Sequence, residues 1–556
     1  MDIVECDFEF TGFDDHLVKA GTSVYLWNLC RQFQAAGHRV TGLTPAHGLL
    51  GRLRKRYEVS TLDWQYSADI PVGLDPAIWP EFAGQAIVPV TATAHRIDIG
   101  GVQIIFLSGG LLDDYPDSFY PPRELEGHSL GFLKPLIFQV VATRFLSDMP
   151  IGTVLHMHEP AYHYLILAAL RGCGLVTVST VQTNMPVNTK VYEPEVSTLT
   201  SFLGGDPGVT AGLTDPPVPP ALREFLPAAL LYDDRPERPG HSYISLLGLV
   251  ARCADALDFL SEGQLDHALT QAGGPFEQVF GGFSARRVLL DRKDRLFVGG
   301  CAIGDEWLDL QRSDSRRKQT LTSLGLDPAL PTVYHNARYT VQHKGQQELF
   351  RAIARLLGEG ERFNALLHCL APQPPADPDM ALLVSRYPAL VRIVTGPMTQ
   401  AELTEWALAS DLCLFPSKFE MDTFLMAMGE AMAAGAVPIA TAQQGMRHFG
   451  HAFDLTDPAA TGLALPRSFQ INDPVLTEAL CDGLRRMLHM MRAEPARFEA
   501  MRDRSVAVAR QFSWRQTADR FAEIFAAAAR LSDYAKPSDH AKPSGQESDR
   551  GSGSDA

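Results

Sequence analysis

The chain has 556 residues, 46% of them hydrophobic and 21% charged, with a formal net charge of −16. That length exceeds what a single core serves, so two or more domains are expected. The composition is that of a globular protein, and its acidity argues against a nucleic-acid or anionic-membrane partner. The eight cysteines contain no CxxC pair, a pattern of reduced thiols rather than of a disulfide framework or zinc site. The opening MDIVECDFEF carries acids where a signal peptide needs basic and apolar segments, and no apolar run reaches about 18 residues. A cytoplasmic protein is expected.

In chain order, the first informative stretch is VKAGTSVYLWNLCRQFQAAGHRVTGLTP (18–45). It reads as the small-residue loop Lys19-Ala20-Gly21-Thr22-Ser23, an amphipathic helix and a strand. Such a loop can offer backbone N–H groups to an anion, although Gly21 making a turn accounts for it equally well. Short β-branched runs follow at 102–107 (VQIIFL), 153–158 (TVLHMH), 174–182 (GLVTVSTVQ) and 390–396 (LVRIVTG), alternating with helical patterns. The alternation predicts parallel α/β units. His156, His158 and His163 invite comparison with a metal cluster, but no metal is expected. The Pro/Gly-dense segment from Phe202 to His241 reads as a long irregular insertion.

LDPALPT (326–332) looks like a linker into a second α/β domain. In YHNARYTVQHKGQQELFRAIARLL (334–357), Arg338 and Lys344 stand between a strand and a helix. Two cations at a strand's C-terminal end suit a diphosphate, Arg as a fork and Lys as a point charge; solvated surface charges are the plain alternative. PSKFEMDTFLMAMGEAMAAGAVPIAT (416–441) follows the apolar strand LCLF (412–415) and sets Glu420 and Glu430 in a run of apolar residues. A helix is predicted from about Thr423 to Ala434, with Met426, Met428 and Met432 as core. From about Asp533 the polar AKPS-repeating end reads as a disordered tail.

Taken together these pieces resemble the glycogen and starch synthase branch of the two-Rossmann-domain (GT-B) retaining glycosyltransferases. VKAGTSVYLWNL resembles that family's Lys-X-Gly-Gly loop, LHMHEPAYHYLILAALRG (155–172) its His-Glu/Asp-Trp stretch, and VSTVQTNM (178–185) its Thr-Val-His-Asn segment. LLGLVARCADALDFLSEGQ (246–264) resembles its helix-plus-strand unit. ARYTVQHKG has the Arg-Tyr-X₄-Lys-Gly spacing, and FSWRQTADRFAEIF (512–525) resembles the helix that crosses back to the first domain. The resemblance implies an α/β fold of two Rossmann-like domains facing a cleft. The implied spans are 1–328 (acceptor side), 329–511 (nucleotide donor), a crossover helix over 512–532 and a tail over 533–556.

It further implies that Arg338 and Lys344 hold a diphosphate and that Glu430 bonds ribose hydroxyls. Glu420 or Asp422 would bond the sugar, with N–H groups near Thr423 and Phe424 capping phosphate. Lys19, Gly21, Thr22, Met398 and Thr399 join the donor-binding set, and Gln182 the catalytic one. No metal or other cofactor is implied, since cations and a helix N-terminus neutralise the leaving group. The substrates would be a nucleotide-activated donor and a small saccharide or aminosugar acceptor.

Three departures stand out. Glu420 and Glu430 are ten residues apart where the family spacing of eight is met by Asp422 and Glu430. Either Asp422 takes the first acid's place, the reading preferred here, or two residues are inserted. Thr22-Ser23 replace the second glycine and its neighbour, and Gln182 replaces the active-site histidine. All three lie near the sugar. They admit an unusual sugar, or a pseudo-glycosyltransferase that joins a nucleotide-activated unsaturated cyclitol to an amine as in acarbose assembly. They weaken bulk glucan synthesis, and the retained Arg338, Lys344 and Glu430 disfavour a non-catalytic binding protein.

Overall fold

The computed structural model describes residues 1–14, 16–18, 21–76, 78–116, 119–121, 129–184, 189–215, 242–270, 283–371 and 373–534. Lys19, most of the Pro/Gly-rich insertion and the C-terminal tail lie outside them.

The apolar runs become buried parallel strands. In spatial order the first sheet holds Leu296–Val298, Ala256–Phe259, Val176–Val181, Val154–His158, Asp2–Cys6, Arg39–Pro45 and Val102–Ser108, all parallel. Gln85–Ile99 and Ser60–Gly73 extend it as antiparallel strands. The two kinds read differently in sequence for a physical reason. Val154–His158 is buried at every position because helices cover both faces, whereas Ser60–Gly73 alternates exposed and half-buried residues over most of its length, with one face in water. The second sheet is wholly parallel: Val391–Val394, Asn364–Leu370, Thr332–Arg338, Leu412–Phe415, Val437–Thr441 and Leu463–Leu465.

Two boundaries differ from expectation. The helix Asp314–Ser323 precedes the expected division at 328/329, yet its ion pairs run to the second lobe: Arg316 to Glu405, and Arg317 to Asp411 at 3.1 Å. The helix expected over Thr423–Ala434 begins only at Met426 and ends at Ala433. Phe419, Glu420 and Leu425 hold φ of 64°, 56° and 59°. Three side-chain-bearing residues in the left-handed region keep the segment a shaped loop rather than a first turn.

The C-terminal helix Trp514–Tyr534 returns to the first lobe. Trp514, Ala518, Phe521, Phe525 and Ala528 recur at helical spacing and are buried. Phe521 and Phe525 pack against His156, with ring centroids at 4.7 and 5.3 Å, and Trp514 meets Tyr25 edge-on at 5.3 Å. A Cβ on Gly299 would lie 2.6 Å from the Phe521 ring. Phe521→Ala should therefore open a cavity here and cost about 3–5 kcal/mol in urea unfolding. A loss below about 1 kcal/mol would show that this helix does not clasp the first lobe.

Candidate active site at the junction of the lobes

The strand Thr332–Arg338 ends on Arg338, which is exposed and whose guanidinium has no partner among the described residues. Its carbonyl accepts from Gln346 Nε2 at 2.8 Å. Gly345 turns the chain into the helix Gln346–Gly358 at φ 65°, and a Cβ there would sit 2.2 Å from the Pro416 carbonyl. That close approach brings Lys344 against the loop after Leu412–Phe415. Lys344 Nζ donates to Asp422 Oδ1 at 2.5 Å, with both side chains about nine-tenths covered. Burial raises the Asp422 carboxyl, but Lys344 and then His343 outweigh it, and the net shift is downward.

His343 precedes Lys344, and its ring is pushed down to about 3 by burial, then by Lys344. Lys418 belongs to a separate, sealed ion pair with Glu348 at 3.0 Å.

Neither acid considered as the sugar contact is free. Glu420 is 1% exposed, receives Arg467 Nε, and accepts from Gln444 N at 2.8 Å. Burial raises its pKa and Arg467 opposes the rise. Asp422 is held by Lys344. Glu430, in the helix Met426–Ala433, is half-buried and without a hydrogen bond or ion pair among the described residues. Burial, with the charge of Glu306 added, pushes it up to about 7.

Other expectations are corrected by what the residues contact. Thr423 and Phe424 do not begin a helix. Thr423 Oγ1 donates to the Gln182 carbonyl at 2.7 Å, while its own carbonyl accepts from Ser261 Oγ at 2.8 Å. Phe424 is buried and stacked on His448 at 4.6 Å. The carbonyl of Gln182, a residue expected in the catalytic set, is thus bonded to Thr423. Gly21 opens the helix Gly21–Ala35 and Thr22 follows it, partly exposed. Ser23 turns inward and donates to the Glu9 carbonyl and to Glu9 Oε1, at 2.9 and 3.0 Å. Thr399 caps the helix Gln400–Leu408 in a reciprocal box with Glu402, and Met398 packs on the core beside it.

Glu5, His156 and His158, all buried, bring their ligand-type atoms within 4.8 Å of one another. The imidazoles bond Glu5: His156 Nδ1 to Oε1 at 3.0 Å and His158 Nε2 to Oε2 at 2.6 Å. His163 instead reaches Ser179 Oγ at 2.7 Å. Sequence reasoning missed Glu5, Arg467, Asn184 and Ser261, because their partners stand far away in the chain. Asn184 Nδ2, for example, donates to the Glu420 carbonyl from the other lobe at 2.5 Å.

Residues 331–465 match the family model described as Glycosyl transferases group 1. No curated protein sequence matches the chain. Among solved structures, the catalytic domain of starch synthase IV from Arabidopsis thaliana, bound to ADP and acarbose, aligns at TM-score 0.63 and 15% identity. That alignment covers 95% of this chain and 99% of that one. The fold is GT-B. Sucrose-phosphate synthase from Thermosynechococcus elongatus aligns at TM-score 0.56 and 16% identity, covering 95% and 98%. An α,α-trehalose-phosphate synthase from Burkholderia xenovorans, in complex with glucose-6-phosphate, aligns at 0.55 and 11%, covering 95% and 100%. At such identities the likeness is one of fold. In this GT-B chain the second sheet lies within the stretch that carries the glycosyltransferase group 1 match.

The elevated Glu430 gives a pH signature. Between its ordinary value of 4.5 and about 7 the native state keeps a proton that the unfolded chain releases. Stability contributed by this residue therefore falls as pH rises through that window. Glu430→Gln should match wild type in urea unfolding below pH 4.5 and be more stable at about pH 8. Lower stability of the variant at that pH would contradict the assignment.

Proposed function

We propose that the chain is a retaining, metal-independent transferase. It moves a hexose or sugar-like group from a nucleoside-diphosphate donor to a small saccharide or aminosugar acceptor. The observation that carries this reading is the free guanidinium of Arg338 at the C-terminal end of a parallel strand, with Lys344 in the turn that follows, in the stretch that matches the glycosyltransferase model. Arg338 supplies a fork to the diphosphate, and Lys344 exchanges Asp422 for a phosphate oxygen. The partnerless Glu430 accepts hydrogen bonds from the ribose hydroxyls.

When the bond from the anomeric carbon to the phosphate oxygen breaks, these cations stabilise the charge on the leaving group. The acceptor attacks from the face the phosphate leaves, and its proton passes to the departing phosphate oxygen. No metal enters these steps.

A second reading is favoured by one observation: both candidate sugar-contacting acids are occupied, Glu420 by Arg467 and Asp422 by Lys344, while Arg338 stays free. Phosphate contacts without ordinary sugar contacts suit a pseudo-glycosyltransferase that joins an unsaturated cyclitol to an amino sugar through a C–N bond.

Calorimetry with UDP, ADP, GDP and dTDP tests the common ground. Arg338→Ala and Lys344→Ala should each weaken nucleoside-diphosphate binding roughly ten- to a hundredfold, the value of a charged hydrogen bond. Unchanged affinity in both variants would remove the phosphate assignment. Asp422→Asn should tighten the same binding several-fold, because it deletes the charge that competes for Lys344; weaker binding would mean that Asp422 orients the lysine instead. Transfer should persist in EDTA, and loss reversed by one divalent ion would overturn metal independence.

A further inference from the structure

The side chain of Gln182 stands at the junction of the lobes, at the end of a chain of buried hydrogen bonds that sets its orientation. Glu5 is fully buried, and His156 Nδ1 bonds its Oε1. Burial raises the Glu5 pKa, but His156 and His158 together outweigh this and hold it at about 2, so both oxygens are acceptors only. The atom of His158 that lies 2.6 Å from Glu5 Oε2, its Nε2, therefore carries a hydrogen. Burial and the neighbouring His156 keep the His158 ring neutral, down at about 4. A neutral imidazole protonated at Nε2 has a bare lone pair at Nδ1. The Gln182 atom 3.1 Å from that lone pair must be the amide nitrogen.

The rest of residue 182 is pinned. Its carbonyl takes Thr423 Oγ1 at 2.7 Å, the preceding carbonyl takes Gln264 Nε2 at 2.9 Å, and the following N–H goes to Glu159 Oε2 at 3.1 Å. What remains is Gln182 Oε1, which makes no hydrogen bond among the described residues and is not sealed from solvent.

We propose that Gln182 Oε1 is a specificity contact that accepts a hydrogen bond from a donor group, a hydroxyl or an ammonium, on the substrate. Glu5 and His158 act as positioning residues that fix the sense of the amide. The reading rests on the transferase proposed above only for the identity of the ligand.

The test has two arms. Long-range ¹⁵N correlation spectra of histidine-labelled full-length protein, without ligand, should show His158 as the neutral Nε2–H tautomer near pH 7. Its Nδ1 resonance should shift in Gln182→Met, which cannot donate. His158 found as the Nδ1–H tautomer, or as imidazolium, overturns the proposal without recourse to any variant. In the second arm, calorimetry compares whichever of UDP, ADP, GDP or dTDP binds with its glucose ester. Gln182→Met should weaken the glucose ester roughly tenfold and leave the free nucleotide unchanged, as expected for one lost hydrogen bond to the transferred group. Equal loss for both ligands, or none for either, overturns the substrate contact. Failure of every nucleotide to bind the wild type overturns the transferase reading instead, and the tautomer then decides the orientation of Gln182 alone.

Discussion

A carboxylate taken out of water must meet a cation or several N–H groups, since desolvation costs several kcal/mol or more. The junction between the lobes is organised by that requirement. Glu420 is met by Arg467, Asp422 by Lys344, Glu348 by Lys418, and Glu5 by His156 and His158. Each pairing joins separate stretches of chain, so the acids act as cross-links as much as functional groups. Arg338 and Glu430 stand outside this set, one a cation and one an acid, neither with a partner among the described residues.

Each of these pairings lies within one lobe; neutral hydrogen bonds tie the two lobes together. The loop Pro416–Leu425 reaches the first lobe through Thr423 on Gln182 and through Asn184 on the Glu420 carbonyl. Ser261 closes the contact from another strand's end, and a Cβ on Gly263 would lie 1.7 Å from the Gln444 carbonyl. Backbone touches backbone there, leaving little room for one lobe to shift without the other. The crossover helix adds an apolar clasp on the opposite flank, against His156, whose ring is already committed to Glu5. Packing of that helix and orientation of Gln182 thus share one buried network, a coupling that no single stretch of sequence displays.

Much of the fold was legible because its signals are local. VQIIFL, TVLHMH and LCLF became strands within a residue of their expected limits, as apolar runs of that length do when both faces are covered. Arg338 ends a strand, and Lys344 stands in the turn before the helix Gln346–Gly358, as their spacing suggested. The start of the helix at Met426 was not legible. Nothing in DTFLMAM announces that Phe419, Glu420 and Leu425 are held with positive φ by contacts made elsewhere, and helix propensity alone would begin the helix at Thr423.

By itself, then, the sequence determined the alternation of strands and helices, the apolar faces that pack them and the placing of the two cations. These follow from side-chain periodicity and from residues six apart. Only the tertiary structure decided which acids are free. Arg467 reaches Glu420 across 47 residues of chain, Lys344 reaches Asp422 across 78, and Thr423 reaches Gln182 across 241. The reason is physical: the charge state of a buried group and the orientation of an amide depend on what stands within about 3 Å in space. That neighbour exists only once the chain has folded.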